Sequence, residues 1–173
     1  MSIKGASPAI SDVRAQIVAL LPRLRRFCMA TAGGADAGDD LAQATIERAL
    51  SRIDQWEEGT RLDSWMYRIA QNIRIDQARS AKVRGIQVDV EALVSVQGDD
   101  GRSVLEARSD LAAAQSAMAA LPEDQRVLMA LVVLDGQSYK EAAETLSIPV
   151  GTVMSRLARA RRAIDNHVHG AVA

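Results

Sequence analysis

Between Thr145 and Ile164 the chain carries four arginines, Arg156, Arg159, Arg161 and Arg162, and no acid. Thr152 and Ser155 stand just ahead of them. These side chains bind rather than react. Guanidinium groups pair with phosphates, an arginine binds a guanine edge through two hydrogen bonds, and hydroxyls contact bases or phosphates. At about 100° per residue, Val153, Leu157, Ala160 and Ile164 fall in one narrow apolar sector. Thr152, Ser155, Arg156 and Arg159 then project to the opposite side, with Arg162 at its edge and Arg161 on a flank. Taken singly, each arginine reads as solvated surface. Taken together, they form a face that attracts an anionic surface.

A second helix must position that face. Ser138 and Glu141 form the S-x-x-E spacing of a capping box. Tyr139, Ala142, Ala143 and Leu146 follow at i, i+3, i+4 and i+7, and a tight break precedes the arginine segment. Two short helices joined this way, with small residues between them, read as a helix-turn-helix. In such motifs the second helix enters the DNA major groove with its N-terminal part near base edges. Upstream, "LPEDQRVLMALVVLDG" places Pro122, Glu123 and Asp124 at the start of a supporting helix and Gly136 at its end.

The first half is also helical by period. Val13, Ile17, Leu20, Leu24 and Phe27 form one stripe; Ala42, Ile46, Ala49, Leu50 and Ile53 a second; Leu62, Trp65, Met66, Ile69 and Ile73 a third. "TAGGADAG" reads as the first connection, with Asp39 and Asp40 at the N-terminus of the second helix. "EEGTR" is the second connection, and the three helices make a bundle. From Lys82 to about Arg102 no period is sustained, and this stretch reads as an acidic linker.

The composition limits the alternatives. In 173 residues, 48% are hydrophobic, 25% charged and 3% aromatic, with a net charge of −1. This suits a helical globular protein rather than a strongly basic one. The single cysteine, Cys28, excludes an internal disulfide, fits a reducing compartment and reads as a small buried apolar residue. The N-terminus lacks the apolar core of a signal peptide, and the longest apolar run, Val127 to Leu134, is too short to span a bilayer. A cytoplasmic protein is expected. No Gly-rich phosphate loop, metal cluster or nucleophile constellation is present, so neither enzymatic activity nor a cofactor is expected. His167 and His169 form an isolated H-x-H, a weak metal signal.

"SYKEAAETLSIPVGTVMSRLARAR" resembles region four of bacterial sigma factors, in particular the extracytoplasmic function (ECF) group of the sigma-70 family. "DDLAQATIERAL" is similar to region 2.2, and "GTRLDSWMYRIAQNIRIDQAR" to regions 2.3 and 2.4. The resemblance implies an all-α chain of two small helical domains: a region-two bundle over residues 8–84, a flexible linker over 85–106, and a region-four helix-turn-helix domain over 107–170. It implies binding to core RNA polymerase, through the β′ clamp helices and the β flap, with Asp40, Leu41, Gln43 and Arg48 as clamp-helix contacts. It implies recognition and melting of the −10 element through Trp56, Glu57, Gly59, Thr60, Arg61, Arg68 and Asn72. The loop from Glu57 to Leu62 would grip a flipped base. Arg74 and Arg79 would also follow the DNA backbone, Asp76 would be structural, and Trp65 is expected in the core. Thr152, Ser155, Arg156, Arg159, Arg161 and Arg162 would read the −35 element. An anti-sigma partner, a stress-response role and a place on the bacterial nucleoid follow from the same resemblance.

The chain departs from the family pattern at four positions. Ala44 replaces an acid, Ala142 a larger aliphatic, Ser147 a turn glycine and Met154 a lysine. The Ser147 departure puts a left-handed backbone there in question. Two other readings are a sigma mimic that binds an anti-sigma factor without supporting transcription, and a conventional helix-turn-helix regulator. Known mimics of the first kind carry a receiver domain, for which the chain has no space, and the second leaves Asp39–Arg79 unexplained.

Overall fold

The computed structural model describes residues 8–83 and 112–169; the expected linker lies outside them. Every regular element among the described residues is helical. The first half holds α1 (Pro8–Ala32), α2 (Ala35–Ser51), one 3-10 turn (Ile53–Gln55) and α3 (Leu62–Val83). The second holds α4 (residues 112–120), α5 (Glu123–Met129), which runs on into a π-helical turn (Ala130–Leu134), then α6 (Tyr139–Leu146) and α7 (Val150–His169).

The stripes become the core. Val13, Ile17, Leu24 and Phe27 of α1 meet Leu41, Ala42 and Ala49 of α2 and Leu62, Met66, Ile69 and Ile73 of α3, all buried. The Phe27 and Tyr67 rings lie 4.6 Å apart at 41°. Trp65 is only half-buried against this core. The expected eight-residue connection shrinks to Gly33 and Gly34, because α2 already begins at Ala35. Asp39 and Asp40 therefore stand a turn inside the helix. Gly33 takes φ +87°, which stops α1. Gly38 lets α1 and α2 approach closely: a Cβ there would lie 2.5 Å from the Met29 Cα.

In the second half, the apolar run expected as one regular helix widens into the π turn. The Asp135 N–H bonds the Ala130 carbonyl and the Gln137 N–H that of Leu131, each at 3.0 Å. The capping box is present, with the Ser138 hydroxyl accepting from the Glu141 N–H and the Glu141 carboxylate from the Ser138 N–H. Ser147 adopts φ 54° and ψ 45°, so the left-handed turn forms without the glycine. Ala142, Ala143, Val153, Leu157 and Ala160 seal α6 against α7.

The two halves share one continuous hydrophobic core. α1 packs on α5 and the π turn, and α3 packs on α6. No described helix is long and apolar enough to cross a membrane.

Candidate nucleic-acid interface

α7 buries Val153, Leu157 and Ala160 completely and leaves Ser155, Arg159, Arg161 and Arg162 exposed, with Thr152 half-buried. The arginines do not share one face. Arg156 turns to the flank facing α5, where its Nε lies 3.0 Å from the Asp124 Oδ2 and its side chain is 29% exposed. Arg161 takes the other flank and donates to the Tyr139 hydroxyl at 3.1 Å. Ser155, Arg159 and Arg162 remain as the outward row, and Arg159 Nε also donates to the Ser155 carbonyl at 3.3 Å. The sequence reading grouped Arg156 with that row; its place lies about 60° further round the helix, toward α5.

The loop expected to grip a base is built on the 3-10 turn. Gly59 takes φ +86°, and Thr60 bonds back to the Glu57 carbonyl through both its N–H and its hydroxyl, at 3.1 and 2.6 Å. Asp12, Val13, Gln16, Trp56, Glu58, Gly59 and Thr60 line an open cleft of about 330 Å³. The Trp56 Nε1 itself is buried away from solvent without a hydrogen-bond partner. Such orphaned donors are uncommon in folded proteins. Arg68 and Asn72 are exposed on α3, as are Asp76 and Arg79.

Arg61 and Arg74 are occupied elsewhere. Arg61 is bidentate to Asp63 at 3.1 and 2.8 Å, and its Nη1 lies 2.6 Å from the Glu141 Oε1 of α6. Arg74 donates to the Glu123 carboxylate at 3.0 Å and to the Thr31 carbonyl. In this arrangement both arginines join the halves instead of lying open to a DNA backbone.

Of the four expected polymerase contacts, Asp40 and Gln43 are exposed on α2, and Gln43 also donates to Glu47 at 3.1 Å. Arg48 is half-buried with its Nη1 3.7 Å from Asp76. Leu41 corrects the expectation: it is 2% exposed inside the core, because it lies on the stripe that packs against α1, and it offers no surface to a partner here.

A polar network between the halves had no counterpart in the sequence reading. Arg23 of α1 is bidentate to Asp135, just beyond the π turn, at 2.8 and 2.9 Å, and reaches Asp63 at 3.3 Å. The Asp135 side chain is 3% exposed and also accepts from Gln137 Nε2 at 3.2 Å. The Ser64 and Thr145 hydroxyls meet at 2.8 Å, and Thr145 donates to Gln137 Oε1 at 3.1 Å. The hydrogen bonds that Arg23 donates to Asp135 raise the Arg23 pKa, against the opposing effect of burial. Burial, reinforced by Asp135, pushes the Tyr67 phenol far above its ordinary range. Burial would also raise Asp63, but the bonds from Arg61 and the Ser64 N–H outweigh it and hold that carboxyl low. The lone acid in "LVVLDG" was the one signal for this network.

Residues 111–164 match the family described as sigma-70, region 4, and residues 17–71 match the sigma2 domain of PhyR. The ECF RNA polymerase sigma factor EcfG of Rhodopseudomonas palustris (strain TIE-1) is 33% identical over 154 residues, covering 89% of this chain and 83% of the relative. The ECF RNA polymerase sigma factor SigW of Bacillus subtilis (strain 168) is 29% identical over 175 residues, covering 94% and 92%. Among solved structures, the sigma factor RpoE bound to the anti-sigma factor NepR from Bartonella quintana superposes with a TM-score of 0.76 at 28% identity, covering 91% of this chain and 96% of RpoE. CnrH, in its complex with the cytosolic domain of CnrY, shares the fold at a TM-score of 0.66 and 22% identity, covering 96% of this chain and 91% of CnrH.

Proposed function

Because the chain belongs to the ECF RNA polymerase sigma factors, we propose that it binds core RNA polymerase and directs initiation at promoters carrying matched −10 and −35 elements. Sigma factors are non-enzymatic, so its role is recognition and promoter opening. The observation that carries this reading is the pairing of two features in one chain. One is a capped helix-turn-helix whose second helix exposes Ser155, Arg159 and Arg162. The other is a region-two bundle bearing the Trp56 cleft. The Trp56 side chain lining that cleft offers an aromatic face on which an unpaired base can stack. Asp40, Gln43 and Arg48 are the polymerase contacts on α2, and Arg68 and Asn72 lie beside the −10 strand. In the cell the chain acts in the cytoplasm, on nucleoid DNA.

The closed arrangement bears on mechanism. The two elements lie about 25 base pairs apart, roughly 85 Å of B-form DNA at 3.4 Å per pair. α3 and α6 touch through Ser64 and Thr145, so one closed molecule cannot occupy both. The 28 residues between the described parts of the two halves can span at most about 95 Å, enough to reach both sites after the halves part. Opening releases Arg61 from Glu141 beside the −10 loop. As the RpoE–NepR complex pairs a related sigma factor with an anti-sigma factor, an anti-sigma partner that holds the halves together is the matching control.

Selection of promoter fragments by the chain plus core polymerase, followed by mapping of bases protected at both elements, tests this reading. Protection at two sites about 25 pairs apart is expected. Binding to an anti-sigma factor but never to core polymerase would replace it with the sigma-mimic reading.

A further inference from the structure

The first turns of α7 carry a second track beside the basic row. Val150 and Met154 are 41% and 55% exposed, and they are the exposed large apolar side chains of α7 among the described residues. Ala158, also exposed, continues the line at i+8. Residues four apart advance about 40° round a helix, so the three form a ribbon one side chain wide. Gly151 borders it and faces open space: a Cβ there would meet nothing within 4 Å. Arg162 and Ser155 lie beyond Gly151 on the same edge, with Arg159 further round the helix. Met154 stands where the family pattern has a lysine, so this chain gives up a cation and gains an apolar tip.

The chemistry of the surroundings selects the occupant. A ribbon this narrow, with Arg161 and Arg162 beyond its C-terminal end and no acid in α7 from Val150 to Arg162, complements a phosphate-flanked groove better than the broad apolar face of another helix. Within the major groove the thymine C5-methyl is the apolar group a side chain can read. From Val150 to Ala158 the helix rises about 12 Å, the length of three to four base pairs.

We propose that Met154, assisted by Val150, reads thymine methyl groups in the −35 duplex, while Ser155, Arg159 and Arg162 hold the adjoining bases and phosphates. This rests on the reading that α7 enters the promoter major groove. It adds a determinant for thymine beside the guanine reading that an arginine can supply.

The test uses holoenzyme on its selected promoter, with each −35 thymine replaced in turn by deoxyuridine, which removes only the methyl. For wild type, at least one position should weaken binding about fourfold, the affinity equivalent of one buried carbon. In Met154→Ala that position should become indifferent to the methyl, and Val150→Ala should reduce the effect part-way. Met154→Lys should lose methyl sensitivity while gaining steeper salt dependence. Both side chains are solvent-exposed, so unchanged thermal midpoints should accompany these effects. Tight promoter binding with no methyl sensitivity at any −35 thymine overturns the proposal, as does sensitivity undiminished in Met154→Ala. Failure of the wild-type holoenzyme to select any −35 sequence overturns the promoter reading beneath it.

Discussion

A cysteine pair at Ser64 and Thr145 would fasten the two halves together. The native hydroxyls are 2.8 Å apart across the interface, and the two positions are 81 apart in the chain. Closing a loop of that length removes denatured-state entropy equivalent to about 4.5 kcal/mol. The oxidised double variant should therefore unfold at clearly higher urea than its reduced form. It should also lose promoter-directed initiation at least tenfold, because two sites about 85 Å apart cannot both be reached by halves in contact, and reductant should restore it. The native thiol does not interfere: Cys28 is fully buried, and burial pushes its pKa up to about 12. The assay is run-off transcription with core polymerase, with the cross-link verified on a non-reducing gel. A fully cross-linked protein that initiates as well as its reduced form would refute the reasoning.

Three other predictions rest on different parts of the fold. Arg159→Ala should weaken −35 binding by about 1–3 kcal/mol in a filter or anisotropy assay without moving the thermal midpoint. Arg156→Ala should also lower the midpoint, since it removes the Asp124 pair between α5 and α7; equal midpoints for the two variants would contradict their placement. Gly38→Ala should cost about 1–3 kcal/mol in urea unfolding, because its Cβ would strike the Met29 backbone, and a neutral substitution would mean that the helices do not approach so closely. The Asp63 carboxyl is held below its ordinary pKa, so its stabilisation is complete above the unfolded value near 4 and is lost as pH falls through the lower folded value. The stability gap between wild type and Asp63→Asn should narrow from pH 6 to pH 3; a constant gap would contradict this.

The helices were legible because each carried a clean apolar stripe, and the α6 cap because Ser138 and Glu141 stand at the right spacing. Local signals failed where tertiary contacts decide. "TAGGADAG" has loop composition, yet packing of Gly38 on Met29 draws most of it into α2. Ser147 lacks the turn glycine, yet the closing bonds to Ala143 and Glu144 carbonyls hold it left-handed. A polar partner far along the chain cannot be read from periodicity, so Arg61 and Arg74 were assigned to DNA although they bridge the halves. The offset of Arg156 was legible: 100° per residue sets it about 60° from Arg159, nearer the apolar sector, while its Asp124 partner on α5 was not. The side chains of the open row and of the Trp56 loop were legible as candidates, while their freedom or engagement was not.

The central claim is that this chain gives core polymerase promoter specificity. Run-off transcription with core polymerase, on templates recovered by the chain itself, measures it directly. A discrete transcript should appear only with the chain present and disappear when either promoter element is scrambled. A yield no greater than that of core polymerase alone would contradict it.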